Sequence, residues 1–145
     1  MLKLLPAAVA GLLLTALSVS VSAAERPDLM TMITSDSNDT QAMALILTRT
    51  SVQQGSNARI LLCDDAGELA IQGSDMGGTV VQPAGASPRQ MLAGLVQAGV
   101  TVEVCAIFLP NRDFDQDDLI EGVGVARPGA IAEHMAAPDT RLFTF

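Results

Sequence analysis

Tryptophan and tyrosine are absent from this 145-residue chain, phenylalanine occurs only four times, and the single lysine is Lys3. Without aromatic faces there is no stacking platform of the kind that holds single-stranded nucleic acid. Charge argues in the same direction. Beyond Lys3, seven arginines face sixteen aspartates and glutamates, a formal net charge of −9, and such a surface repels nucleic acid and anionic lipid. The chain also has no G-x-S-x-G elbow, Walker loop, HExxH helix or paired CxxC, so the usual marks of hydrolase, nucleotide and zinc chemistry are missing. A phosphoacceptor receiver domain is excluded by the lack of its lysine.

What is present begins with Met1-Leu2-Lys3, an uncharged apolar stretch from Leu4 to Leu17, and the small-residue segment Val19-Ser20-Val21-Ser22-Ala23-Ala24. This pattern predicts a cleavable secretory signal peptide over 1–24, with cleavage after Ala23 or Ala24. The stretch is shorter than the roughly 20 apolar residues a spanning helix needs, so no membrane association is expected after leader removal. A periplasmic or secreted location follows. Residues 25–145 are enough for one domain with its own core.

Periodicity divides that domain into alternating strands and helices. Leu29 to Thr34 reads as a buried strand, followed by a polar turn and a helix from about Thr40 to Gln54, capped by Asn38 or Asp39 and carrying Met43, Ile46, Leu47 and Thr50 at helical spacing. Ala58 to Cys63 reads as a second strand, and Val80-Val81 as a brief one. Ser87-Pro88-Arg89-Gln90 combines an N-cap serine, a first-turn proline and a capping-box glutamine. Met91, Leu92, Leu95 and Val96 form the stripe of that helix, and Gly99 ends it before the β-branched run Val100 to Ile107. Aspartates at 115–118 predict a further capped helix, Pro128 opens the last one to about Met135, and Thr140 to Phe145 reads as a final strand. The expected architecture is a three-layer α/β/α sandwich with a mostly parallel sheet of about five strands.

Cys105 is the leading candidate site residue, because open α/β sheets react at the carboxyl ends of their strands. A thiol there works as a thiolate, favoured by a cation or a helix amino terminus, and Arg112 with the Asp115 segment are candidates to supply both. Glu103, two residues earlier and on the same strand face, opposes this. The competing reading makes Cys105 a small buried hydrophobe. Cys63 also ends a strand. A Cys63–Cys105 bridge requires Cα atoms within about 7 Å, which adjacent strands allow and strands separated by a third do not. The order of strands decides between the two, and because the first strand could lie between them, a structural, unbridged Cys63 is the default while the bridge stays open.

The acidic residues Asp36, Asp39, Asp64 and Asp65 read as caps and turn formers rather than as a cation site. The turn Thr34 to Thr40, with two aspartates and no glycine, is a poor phosphate cradle. His134, without a spaced partner, reads as a solvated helix residue rather than a metal ligand or base. No cofactor and no metal are expected.

Taken together, Met32-Ile33-Thr34-Ser35, Leu95 to Val100, Val104-Cys105, Asp118 to Val123 and Leu142 to Phe145 resemble, in order and spacing, the DsrE/DsrF-like family across the whole of 25–145. The resemblance implies a small α/β/α fold with a parallel sheet and, in sulfur-relay members, a persulfide-carrying cysteine. It puts Cys105 at the sulfur-accepting position and Arg112 where members often carry an arginine followed by glycine; here Asp113 follows. The implied function is an exported sulfur carrier or sulfurtransferase, with a sulfur donor or acceptor protein as partner. The alternative is a non-catalytic interaction module of the same fold. Homo-oligomerisation is implied in either case.

Overall fold

The computed structural model describes residues 26–145; the expected leader lies outside them. Among the described residues, no helix is long and apolar enough to cross a membrane.

Five strands form one all-parallel sheet: β1 (Asp28–Ile33), β2 (Ala58–Leu62), β3 (Thr101–Val104), β4 (Val123–Val125) and β5 (Thr140–Thr144), in the order β4-β3-β2-β1-β5. The helices are α1 (Asn38–Gln53), α2 (Pro88–Gln97), the single turn α3 (Phe108–Asn111) and α4 (Pro128–Ala136). The α/β sandwich expected from the periodicity is therefore present.

The strands alternate their side chains between two unequal layers. Ile33, Ile60, Leu62, Val102 and Val104 join Leu45, Leu92 and Leu95 in the larger core beneath α1 and α2. On the other face, Met30 and Leu61 meet Ala126, which follows β4, and Ile131 of α4, with Cys63 and Cys105 packed against them. Central strands buried on both faces explain why the sequence reads there as continuous apolar runs.

Several elements differ from the sequence reading. The N-cap of α1 is Ser37, whose hydroxyl accepts the Thr40 amide, so the helix starts at Asn38. Its buried face is Gln41, Ala42, Ala44, Leu45 and Thr48 rather than the Met43/Leu47 stripe; Met43 and Leu47 remain about half exposed, at 51% and 48%. The two alanines let the helix lie close to the sheet, where the Thr48 hydroxyl meets that of Thr31 at 2.7 Å. Val81 makes only an isolated antiparallel bridge to Ala86, not a strand. The expected helix at 115–120 is a single 3-10 turn, Gln116–Asp118, closed by the Asp118 carboxylate accepting the Asp115 amide and the Asp115 carboxylate accepting the Asp117 amide. Leu119 is drawn into a bridge with Ile71, and the strand β4 follows at Val123–Val125, a stretch to which the sequence pattern assigns no element. The Ser87 capping box of α2 is formed in both directions, and Gly99, at φ +84°, makes the turn into β3.

Candidate functional site

Cys63 directly follows β2 and Cys105 directly follows β3. These strands are neighbours, with Leu62 opposite Val104, and the ladder continues one step, the Cys105 amide donating to the Leu62 carbonyl at 2.8 Å and the Cys63 amide to that of Ile33 at 2.9 Å. The two half-buried cysteines are thereby held side by side with Cα atoms 5.1 Å apart, and they are joined as a disulfide. The expectation of an unbridged Cys63 fails on strand order: β1 lies outside β2, not between the cysteine strands. The distance falls within the range that a bridge spans without moving backbone.

After each cysteine the chain turns sharply. Asp64 adopts a left-handed conformation, φ +51°, at the first position of the 3-10 helix Asp64–Ala70. After Cys105 the chain enters α3, with the Phe108 amide bonded to the Cys105 carbonyl at 2.8 Å. The two segments pack through Gly67 and Phe108: a β-carbon on Gly67 would fall within the Phe108 ring. Any larger residue must displace that ring, and this contact ties the loop after Cys63 to the loop after Cys105.

Two clefts open on the cysteines. One, about 330 Å³, lies on the α4 side and is lined by apolar groups, including Leu61, Cys105, Ile107, Ile131 and Met135. The other, about 520 Å³, is lined by both cysteines with Asp64, Phe108, Asn111 and Arg112. Ile107 lines both and is 72% exposed.

Arg112 thus shares a cleft with both cysteines, but its charge is already engaged. Its guanidinium contacts Asp65 at 2.8 Å, Asp64 at 3.1 Å and Glu68 at 3.5 Å, and rests 5.8 Å from the Phe108 ring centroid. The hydrogen bond to Asp65, followed by attraction to the same carboxylates, holds its pKa above the ordinary arginine value. One cation among three carboxylates leaves the local field negative, so Arg112 organises the loop after Cys63 rather than presenting a free positive charge. Asp64 and Asp65, read from sequence as turn formers, are also its ion-pair partners. Among the described residues there is no group of three or more histidine, cysteine, aspartate or glutamate side chains arranged to hold a metal ion.

Glu103 also differs from its sequence reading. Arg59, on β2, donates through Nε to Glu103 Oε2 at 2.7 Å, and Nη2 lies at 2.7 Å from the same oxygen. The carboxylate that was expected to oppose thiolate formation is therefore compensated by a neighbouring cation. Sequence reasoning missed Arg59 because the pairing depends on which strand lies beside β3. His134 is not simply solvated: its Nε2 is buried without a hydrogen-bond partner. It lines a cleft with Asn57, Ala58, Arg59 and Thr101, at the amino ends of β2 and β3, and does not line either cleft at the cysteines.

No family model and no curated protein matches the chain. Solved structures do. The ychN protein from E. coli superposes with a TM-score of 0.65 at 20% identity, over 83% of this chain and 99% of that one. MTH1491 from Methanobacterium thermoautotrophicum, described as a protein of unknown function, superposes with a TM-score of 0.62 at 17% identity, over 82% of this chain and 99% of that one. The likeness establishes a shared DsrE-like α/β fold across the described domain.

Proposed function

We propose that this chain is an exported DsrE-like sulfur carrier in which reduced Cys105 accepts sulfane sulfur as a persulfide and passes it to an acceptor thiol. The observation that carries this reading is the placement of Cys105 at the carboxyl end of a parallel strand, half-buried and bordering two clefts. A persulfide carrier needs that combination: enough access for a donor, and enough enclosure to protect the terminal sulfur from adventitious thiols. Arg112 acts as a positioning residue, holding the Asp64–Glu68 segment against α3. The disulfide is the resting, oxidised form, and the carrier form requires its reduction. Export, expected from residues 1–24, is consistent with a cysteine pair that cycles through a disulfide.

The test is mass spectrometry of the reduced Cys63→Ser protein, which leaves Cys105 as the one thiol, after incubation with a low-molecular-weight persulfide. Gain of one sulfur atom on a peptide containing Cys105, absent when Cys105→Ser is added, supports the carrier reading; an unmodified Cys105 in a fully reduced, folded sample rejects it.

A second reading, an oligomeric interaction module, is favoured by the apolar surface beside edge strand β5. Leu142 and Phe143 are 42% and 53% exposed, and Phe143 lines a cleft with Leu47 of α1. An unpaired edge next to exposed apolar side chains suits self-association. Sedimentation of wild type against Phe143→Glu tests it, and a monomeric wild type sinks it.

A further inference from the structure

Cys63 has no role in a one-cysteine carrier, yet its Cα lies 5.1 Å from that of Cys105, within bonding reach of Cys105 Sγ. We propose that Cys63 is a resolving cysteine, which converts a Cys105 persulfide that no acceptor thiol has taken up into the Cys63–Cys105 disulfide and releases the carried sulfur as sulfide. This rests on the carrier reading above and adds to it a second residue, a product and a requirement for a dithiol reductant.

The geometry supports a defined direction. Both cysteines line the cleft that contains Arg112, but only Cys105 also lines the apolar cleft on the α4 side. An outer sulfur on Cys105 therefore has a space to occupy that Cys63 does not border, while the inner sulfur, Cys105 Sγ, stays within bonding reach of Cys63 Sγ. The 5.1 Å Cα separation is set by the β2–β3 ladder, so the attack needs no strand movement. Positioning of this kind makes the step intramolecular and raises its rate far above that of a free thiol.

The step balances without an outside oxidant. Cys63 loses its proton to solvent, and its thiolate attacks Cys105 Sγ. The Sγ–Sγ bond forms as the bond from Cys105 Sγ to the outer sulfur breaks, and the outer sulfur leaves with that electron pair as hydrosulfide. Cys63 sulfur is oxidised and the departing sulfur is reduced, so a thiol and a persulfide give a disulfide and hydrogen sulfide. A dithiol then reopens the bridge by thiol–disulfide exchange, and Cys105 can be loaded again. The bonded pair found in the structure is the product state of this cycle.

The direction is tested anaerobically with the reduced full chain and one equivalent of a low-molecular-weight persulfide, following protein mass and free sulfide. Wild type is expected to release one sulfide per chain and to finish two hydrogens lighter, as the Cys63–Cys105 disulfide. Cys63→Ser is expected to gain sulfur on Cys105 and to retain it, with sulfide release slowed about tenfold or more. If wild type and Cys63→Ser keep the persulfide equally long, the resolving role is overturned while the carrier reading stands. If Cys105→Ser is loaded on Cys63 instead, the assignment of the two residues is overturned. If neither wild type nor Cys63→Ser gains sulfur or releases sulfide, the carrier reading itself fails. Circular dichroism of each variant confirms that folding is retained.

Discussion

Arg59 and Glu103 form a charge pair across the two strands that carry the cysteines, with both Nε and Nη2 of the arginine 2.7 Å from one carboxylate oxygen. Their side chains are only 20% and 15% exposed, and they lie on the same sheet face as Cys63 and Cys105. The pair bolts β2 to β3 just below the thiols and compensates the one carboxylate on that face of β3.

Replacing Arg59 with methionine keeps most of the aliphatic stem but leaves Glu103 partly buried without its donor. The expected loss is about 1–3 kcal/mol, the range for removing a hydrogen-bonded partner of a charged group. In the reduced protein, alkylation of Cys105 near neutral pH should slow, because an uncompensated anion disfavours the thiolate. Urea denaturation and the alkylation rate check the two effects, and the double variant with Glu103→Gln should recover the alkylation rate.

Reduction of the disulfide should lower stability without altering the fold. The cysteines are separated by 42 positions, and closing a loop of that length restricts the unfolded chain by about 4 kcal/mol in the chain-entropy account. Both residues lie just past their strands, so secondary structure measured by circular dichroism should be unchanged while the denaturation midpoint falls.

Gly67→Ala places a methyl group where the Phe108 ring packs. Overpacking of this kind costs about 1–3 kcal/mol. Because the contact joins the segments that follow the two cysteines, the rate at which the reduced pair recloses under a mild disulfide oxidant should fall as well. Pairing the change with Phe108→Leu relieves the clash and should restore much of that rate.

Arg112→Gln removes the cation from Asp64, Asp65 and Glu68. Its raised pKa means that its contribution to folding is complete at all pH values below the unfolded-state arginine value and is lost only as pH climbs through the still higher folded value, outside the working range. Stability measured between pH 6 and pH 9 (roughly the neutral window, far below arginine titration) should therefore show no step assignable to Arg112. Reaction of the reduced cysteines with an anionic reagent should slow in the variant and recover partly with added salt, whereas a neutral reagent should be little affected.

Much of the architecture was legible in local chemistry. Ser87, Pro88 and Gln90 specify the start of α2 whatever surrounds it, because the capping box satisfies amides within a single turn. The apolar runs of β1 and β2 mark strands buried on both faces, whereas β3 alternates. Other elements were decided by long-range partners. The aspartates at 115–118 form the same cap in a helix or in one 3-10 turn, and the bridge between Leu119 and Ile71 ends the turn early. The spacing of Met43 and Leu47 describes an apolar stripe, but Ala42, Ala44 and Leu45 pack closer to the sheet, so the larger stripe is left outside.

For the candidate site, the sequence by itself determined that two cysteines end strands, that an arginine follows Cys105 within a few residues, and that acidic residues follow Cys63. Those properties are local: strand length, turn residues and side-chain type are written along the chain. Which strands are neighbours is not. Only the tertiary structure decided that β2 lies against β3, that Cys63 therefore bonds Cys105, that Arg59 compensates Glu103, and that Arg112 is taken up by three carboxylates. Each of these depends on lateral strand order, which is set by how the helices share the two faces of the sheet and leaves no periodic trace in the sequence.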